Sequence, residues 1–410
     1  MTSRGYTRIS FWRRLVFTLI IASFAGNVSI ALIVSAIMVR AGPTLVWERF
    51  TSPRESFKQW TLGPLEPATL PYPTTPMLAF DAELINTQGA FYTWRARVLA
   101  EYEVMLRGDW LGWDKTFSRI SAEEIIVEAS ADNPLQITRL ELPSTLLADN
   151  IIVYKIDPFA HENQMGSTQP ATAAVIAIPG TSAEGVAGLM GWIPDYQEGA
   201  AIALAQAGYL VYAVQLFGDG ERSIHTGSIG RRGFTSTQLL ERSGHLWDRP
   251  LPGLYLRELS QVVDYIMSQE DVARCVAAFG ISRGGNLAYQ LAAFREEIDV
   301  VVVHQGLNDL DTVFNPFGEF SFTSGMYRRF RHSDIAATVA PRPMLVTWDE
   351  RESKAVGAPI AIARLGLAYD LFSDQGNLET SVNQRGHTWE PDTTIDFLRR
   401  HCNRGTLGLP

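Results

Sequence analysis

From residue 173 onward, short runs that are apolar throughout alternate with stretches of helical period. The runs are 173–178 (AAVIAI), 209–214 (YLVYAV), 276–279 (VAAF), 300–303 and 344–348. Helical stretches lie at 197–207, 251–268, from 282 to 294, and from 391 to 401. A strand with no polar face must be covered on both sides, so this alternation predicts an α/β fold with a mainly parallel central sheet and helices on both faces. Upstream, 83–107 reads as helix, and 124–128, 138–142 and 151–156 read as antiparallel lead-in strands from their β-branched content. A Gly- and Arg-rich excursion fills 217–249.

The run at 276–279 leads into Gly280-Ile281-Ser282-Arg283-Gly284, a G-x-S-x-G sequence between an apolar strand and a helix. That context suits a nucleophilic serine on a sharp, strained turn, because small neighbours let the hydroxyl stand clear of the sheet. A serine needs a base, and seven histidines are available: His161, His225, His245, His304, His332, His387 and His401. His387 stands in a polar loop directly before the last helix, where such a base belongs in chain order. His304 ends a buried strand and suits a structural role, His401 is expected to be exposed inside the last helix, and His225 and His245 lie in the excursion. An orienting carboxylate is expected after the strand at 344–348, where Asp349, Glu350 and Glu352 all stand. Oxyanion donors are expected at the backbone of Arg283 and in the Pro179-Gly180-Thr181 loop, with Thr181 preferred.

Pro179-Gly180-Thr181, Phe217-Gly218-Asp219-Gly220-Glu221-Arg222, the helix in YLRELSQVVDYIMSQED, Gly280-Ile281-Ser282-Arg283-Gly284-Gly285 and Pro341-Arg342-Pro343 occur in one order. In that order the chain resembles the dienelactone-hydrolase and acetyl-xylan-esterase-like branch of the α/β-hydrolase superfamily, over roughly residues 137–400. The resemblance implies a serine hydrolase of esterase type. It also implies an acid three residues beyond the glycine that ends its strand. Asp349 takes that glycine's place, so Glu352 is the preferred acid, with Asp349 and Glu350 as alternatives. The arginine after the serine is similar to the glucuronoyl-esterase elbow, which implies either a side-chain contribution of Arg283 to the oxyanion or simple packing on the elbow helix. Asn286 departs from that family, which carries lysine there.

The start of the chain is of another kind. Residues 15–39 (LVFTLIIASFAGNVSIALIVSAIMV) carry no charge, long enough to cross a bilayer as a helix. Arg4, Arg8, Arg13 and Arg14 precede this segment and only Arg40 follows closely, an asymmetry that keeps residues 1–14 cytoplasmic and exports the rest. A cleaved signal peptide, leaving a secreted protein, is the alternative. A Pro-rich tether is expected at 40–75, and the hydrolase domain at 76–410, with its lead-in at 76–160 and its core at 173–402. Cys275 and Cys402 allow one disulfide, although Cys275 in its apolar run reads better as a small core residue. A net charge of −9 excludes a basic nucleic-acid surface. No metal or organic cofactor is implied. The partners expected are a small-molecule or carbohydrate ester and, through the first helix, a membrane; the sequence leaves oligomeric state open. A peptidase of the same fold and an inactive binding protein are the competing readings. Walls for the substrate pocket are expected from the excursion and 310–338, with Trp247, Phe314, Phe317, Phe320 and Phe322 as candidate lining.

Overall fold

In the computed structural model, the described residues are 75–107, 123–130, 133–147, 149–158, 173–224, 235–269, 275–309, 323–352, 357–372 and 377–402. In chain order the elements are helix α1 (Gln88–Met105), strands β1 (Glu123–Ser130), β2 (Asn133–Pro143), β3 (Asn150–Asp157) and β4 (Ala174–Ile178), helix α2 (Ala200–Gln206), and strand β5 (Leu210–Gln215). Then follow helices α3 (Ser236–Leu246) and α4 (Leu251–Met267), β6 (Val276–Ile281), α5 (Arg283–Phe294), β7 (Val300–His304), α6 (His332–Ala337), β8 (Met344–Trp348), α7 (Ala358–Tyr369), β9 (Leu378–Val382) and α8 (Pro391–Cys402).

The strands form one sheet in the order β1-β2-β3-β5-β4-β6-β7-β8-β9. The lead-in strands pair antiparallel through β3 with β5, and every pairing from β5 to β9 is parallel. Alternation along each strand divides the core in two. Ala174, Ile176 and Ile178 of β4 face a layer containing Phe91, Tyr255, Leu259, Leu287, Ile335 and Leu365. Val175 and Ala177 face Leu204, Ala205, Phe397 and Leu398. Strands β4, β6 and β7 are therefore buried along their whole length, which is why each reads as unbroken hydrophobic sequence.

Two elements escape that kind of signal. Helix α3, within the excursion, is polar and is fixed by a capping box in which Thr235 and Gln238 satisfy each other's backbone N–H. Strand β9 has no residue class that marks burial, since it lies at the sheet edge and is half exposed.

Cys275, just ahead of β6, is disulfide-bonded to Cys402 at the end of α8, with Cα atoms 5.4 Å apart. The expectation of a small unpaired core residue is corrected: Cys275 is buried and bonded. The partners are 127 residues apart in sequence and meet only because α8 packs back across the sheet, a contact no local pattern announces. The apolar segment at 15–39 and most of the expected tether lie outside the described residues. Among the described residues no helix is long and apolar enough to cross a membrane.

Candidate active site

Strand β6 ends at Ile281 and α5 begins at Arg283, so Ser282 alone makes the turn, with φ 58° and ψ −120°. A non-glycine residue held there stores strain of about 1–3 kcal/mol and persists only where its surroundings over-determine it. Here they do. The Ser282 N–H donates to the His304 carbonyl at 2.7 Å, and the Ser282 carbonyl accepts the Asn286 N–H at 3.0 Å. A Cβ on Gly280 would strike the Gly284 backbone, one on Gly284 the Ile178 carbonyl, and one on Gly285 the His304 carbonyl. The turn is thus pressed between β4, β7 and its own helix, and positions 280, 284 and 285 have no room for a side chain.

The Gly180 N–H donates to the buried Gln197 Oε1 at 2.9 Å. That leaves Thr181, exposed at the mouth of the loop, as the first residue there whose N–H has no acceptor among the described residues. A Cβ on Gly180 would meet both the Tyr196 hydroxyl and the Ile281 carbonyl, so the loop lies directly against the elbow.

The Arg283 side chain does not pack on the outside of the elbow helix. It is buried, donates to the Gly180 carbonyl at 2.9 Å and to the Asp219 carboxylate, and lies over the Tyr255 ring at 5.5 Å. Burial opposes its charge, and the carboxylate of Asp219 outweighs that, holding the guanidinium above its ordinary pKa. Asp219 also accepts from Thr237 Oγ1 at 2.6 Å. Nearby, Arg222 makes a two-pronged pair with Glu258 of α4, at 2.7 and 2.8 Å, with both side chains buried. The Phe217–Arg222 stretch therefore works as a brace that clamps the elbow, its charges paired as burial requires. Asn286 lies in a buried network: its Nδ2 donates to Tyr289 Oη at 2.6 Å and its Oδ1 accepts from Gln290 Nε2 at 2.5 Å. His332 Nδ1 lies 2.8 Å from the same tyrosine oxygen.

On the other side of the site, β8 ends in a turn closed by the Glu352 N–H donating to the Asp349 carbonyl at 3.1 Å. His387 Nδ1 lies 2.8 Å from Glu352 Oε2. Asp349 is engaged elsewhere. Its carboxylate accepts the Gly386 and Arg351 N–H groups, each at 2.8 Å, and the Arg351 guanidinium at 2.6 and 2.9 Å. The hydrogen bonds of Arg351 hold that carboxyl well below the usual carboxylate range. Glu350 is exposed.

The loop that carries His387 is built around residues without a sequence signature. Fully buried Asn383 donates to the Gly386 and Thr388 carbonyls at 3.2 and 3.0 Å and accepts the Arg385 N–H at 2.6 Å. Gln305, at φ 54°, accepts the Asp349 N–H at 3.0 Å and donates to the Gly386 carbonyl at 3.4 Å. Tyr196 joins the two sides. Its hydroxyl stands against the elbow, where a Cβ on Gly180 would meet both it and the Ile281 carbonyl, and its ring centroid lies 5.1 Å from that of His387. Among the described residues no direct hydrogen bond links Ser282 to His387, and such bonds commonly tighten only when substrate is bound.

Of the other histidines, His304 is fully buried between Thr347 Oγ1 at 2.7 Å and Thr394 Oγ1 at 2.8 Å, and burial pushes its pKa down to about 3. His332 is likewise buried, with its pKa pushed down to about 4. His401, expected to be exposed, is buried with Nε2 3.4 Å from Glu379, because the inner face of α8 continues to its last turn. His245 is exposed on α3, and His161 and His225 lie outside the described residues. Phe217, Leu240 and Trp247 of the excursion line, with Leu146, Leu147 and Leu254, a cavity of about 360 Å³. Phe314, Phe317, Phe320 and Phe322 lie outside the described residues.

No known family model and no curated protein matches the sequence. Solved structures do match by shape. A Bacteroides fragilis protein described as an acetyl xylan esterase aligns at TM-score 0.60 and 16% identity, covering 78% of this chain and 81% of its own. The methylesterase BT1017 aligns at 0.58 and 17%, covering 79% and 67%. A glucuronoyl esterase from Solibacter usitatus aligns at 0.51 and 16%, covering 82% and 99%. At such identity the likeness establishes the fold.

Proposed function

We propose that this chain, an α/β-hydrolase by fold, is a serine hydrolase that cleaves carboxylic esters, with Ser282 as nucleophile, His387 as base and Glu352 as the orienting acid. One observation carries the proposal: a serine held at positive φ on a one-residue turn, with Tyr196 packed against both that elbow and a histidine whose Nδ1 faces a carboxylate. With Nδ1 turned to Glu352, His387 has Nε2 left to accept the Ser282 proton. Attack on the ester carbonyl gives an acyl-enzyme, which water activated by the same histidine then hydrolyses. The N–H groups of Arg283 and Thr181 stabilise the oxyanion. Asp349 holds the histidine loop in place by receiving the Gly386 N–H.

Carbohydrate esters are the substrate class we put first. The acetyl xylan and glucuronoyl esterases among the structural neighbours support it. We further propose that residues 15–39 anchor the protein in a membrane with the hydrolase domain on the non-cytoplasmic side. The charge-free run and its basic flank support this, and so does the Cys275–Cys402 disulfide, since such bonds persist in oxidising compartments.

The test uses the full-length protein in detergent. A fluorophosphonate is expected to label Ser282, Ser282→Ala to abolish labelling and p-nitrophenyl acetate hydrolysis, and His387→Ala to slow both sharply. A folded protein that takes up no probe and hydrolyses no ester would leave the inactive binding protein as the better reading. Carbonate washing should leave the chain in the membrane pellet. A mature soluble form beginning after about residue 41 would instead identify a cleaved signal peptide.

A further inference from the structure

Tyr196 occupies the turn between β4 and α2, and that turn is pinned. The Asp195 carboxylate accepts the Gln197 N–H at 2.6 Å and Gln197 Nε2 at 3.1 Å, while Gln197 Oε1 takes the Gly180 N–H. The backbone of the tyrosine is therefore fixed to the loop that supplies the Thr181 donor. Its hydroxyl fills the space that a Cβ on Gly180 would need, beside the Ile281 carbonyl of the elbow, and donates to the Thr181 carbonyl at 3.2 Å. The ring rests on His387 with its plane inclined 50° to the imidazole. One phenol thus stands beside the elbow, the base and the oxyanion loop at once, with its polar end on the oxyanion loop.

We propose that Tyr196 is a catalytic residue of this site, its hydroxyl donating a hydrogen bond to the oxyanion formed when Ser282 attacks an ester carbonyl. The proposal rests on the ester-hydrolase reading above. The hydroxyl's bond to the Thr181 carbonyl, at 3.2 Å, is long for an O–H···O contact, whose usual separation is about 2.7–2.8 Å. It exchanges readily for the stronger bond to a charged oxygen. Burial holds the phenol well above its ordinary pKa, so it stays protonated and able to donate.

In the step itself the Ser282 Oγ–carbon bond forms as the Oγ proton passes to His387 Nε2, and the carbonyl π pair moves onto oxygen. That oxygen then accepts hydrogen bonds from the Arg283 N–H, the Thr181 N–H and the Tyr196 O–H. On collapse the C=O bond re-forms, the bond to the alcohol oxygen breaks, and the departing alkoxide takes the proton from His387. Tyr196 keeps its own proton throughout, and nothing is oxidised or reduced.

Tyr196→Phe keeps the ring on His387 and removes only the hydroxyl. Loss of one oxyanion donor has cost about 10²–10³ in kcat elsewhere. With full-length protein and p-nitrophenyl acetate we expect kcat to fall about 10²-fold while KM stays within about threefold, the pattern of an interaction made only in the transition state. A trifluoromethyl ketone, which forms a tetrahedral adduct on serine, should bind more weakly by a similar factor, with Tm unchanged. A purely structural tyrosine would lower Tm without separating kcat from KM. A Phe variant with wild-type kcat, or with its whole loss in KM, overturns the tyrosine proposal while active wild-type protein keeps the ester-hydrolase reading standing. Wild-type protein that neither hydrolyses the ester nor labels overturns both.

Discussion

Around Ser282 the contacts that decide conformation run from backbone to backbone; around His387 they run mostly from side chain to backbone. The elbow admits no Cβ at Gly280, Gly284 or Gly285, because strands and helix close on it from three directions. The histidine loop is held by Asn383, Gln305, Asp349 and Arg351, each exchanging hydrogen bonds with a neighbouring carbonyl, N–H or side chain. Steric closure leaves few residue types possible and so writes a motif. A hydrogen-bond network can be assembled from many combinations of polar residues and writes none.

The largest effect expected from testing this contrast is in the acid turn. Glu352→Gln should cost about 10⁴-fold in kcat, the loss seen when the orienting acid of a comparable triad is neutralised. Asp349→Asn should cost far less, because its carboxylate serves the Gly386 N–H and Arg351 rather than the imidazole. Steady-state kinetics on the pair checks this, and a greater loss in Asp349→Asn would transfer the acid role to Asp349.

The elbow should fail sterically instead. Gly284→Ala drives a methyl group into the Ile178 carbonyl and should destabilise the fold by about 1–3 kcal/mol or more. Gly366→Ala, in α7 with open space around it, should stabilise by about 0.5–1 kcal/mol through helix propensity. Urea titrations of the two variants make the comparison, and equal effects would deny that close packing selects the glycines.

A pH-dependent effect lies beneath the elbow. His304, whose carbonyl holds the Ser282 N–H, and His332 are buried with their pKa values depressed, so the unfolded chain binds protons below about pH 6.5 that the folded chain refuses. Their contribution to stability is complete above that pH. It is lost as pH falls towards the folded values of about 3 and about 4, at up to about 1.4 kcal/mol per pH unit for each histidine. His304→Gln should flatten the dependence of unfolding free energy on pH between 6.5 and 4 by about that amount for one group. An unchanged slope would mean that His304 is charged in the folded protein.

The same contrast explains what the sequence made legible. The parallel strands were readable because they are buried on both faces, and the serine turn because its glycines are forced. His387 and Glu352 could be placed by chain order and by the resemblance, and the structure pairs them at 2.8 Å. Tyr196, Asn383, Gln305 and Gln197 were not singled out. Tyr196, Gln305 and Gln197 draw their importance from partners 15 or more residues away, Asn383 from carbonyls of its own irregular loop, and Gln305 looks like any strand-end polar residue until its positive φ is seen. The place of Arg283 in the elbow is legible from the motif, whereas the pairing of its guanidinium with Asp219, 64 residues upstream, is not. His401 and Cys275 were misjudged for the same reason, since the packing of α8 is invisible in its own sequence.

The bond between Cys275 and Cys402 also has a topological meaning. It closes a covalent ring that encloses Ser282, Glu352 and His387 together. One peptide-bond cut anywhere inside that ring opens it without dividing the molecule. A protease that nicks the chain once between the two cysteines therefore leaves all three groups on a single covalent body, and two cuts or a reductant are needed before any of them can be carried away.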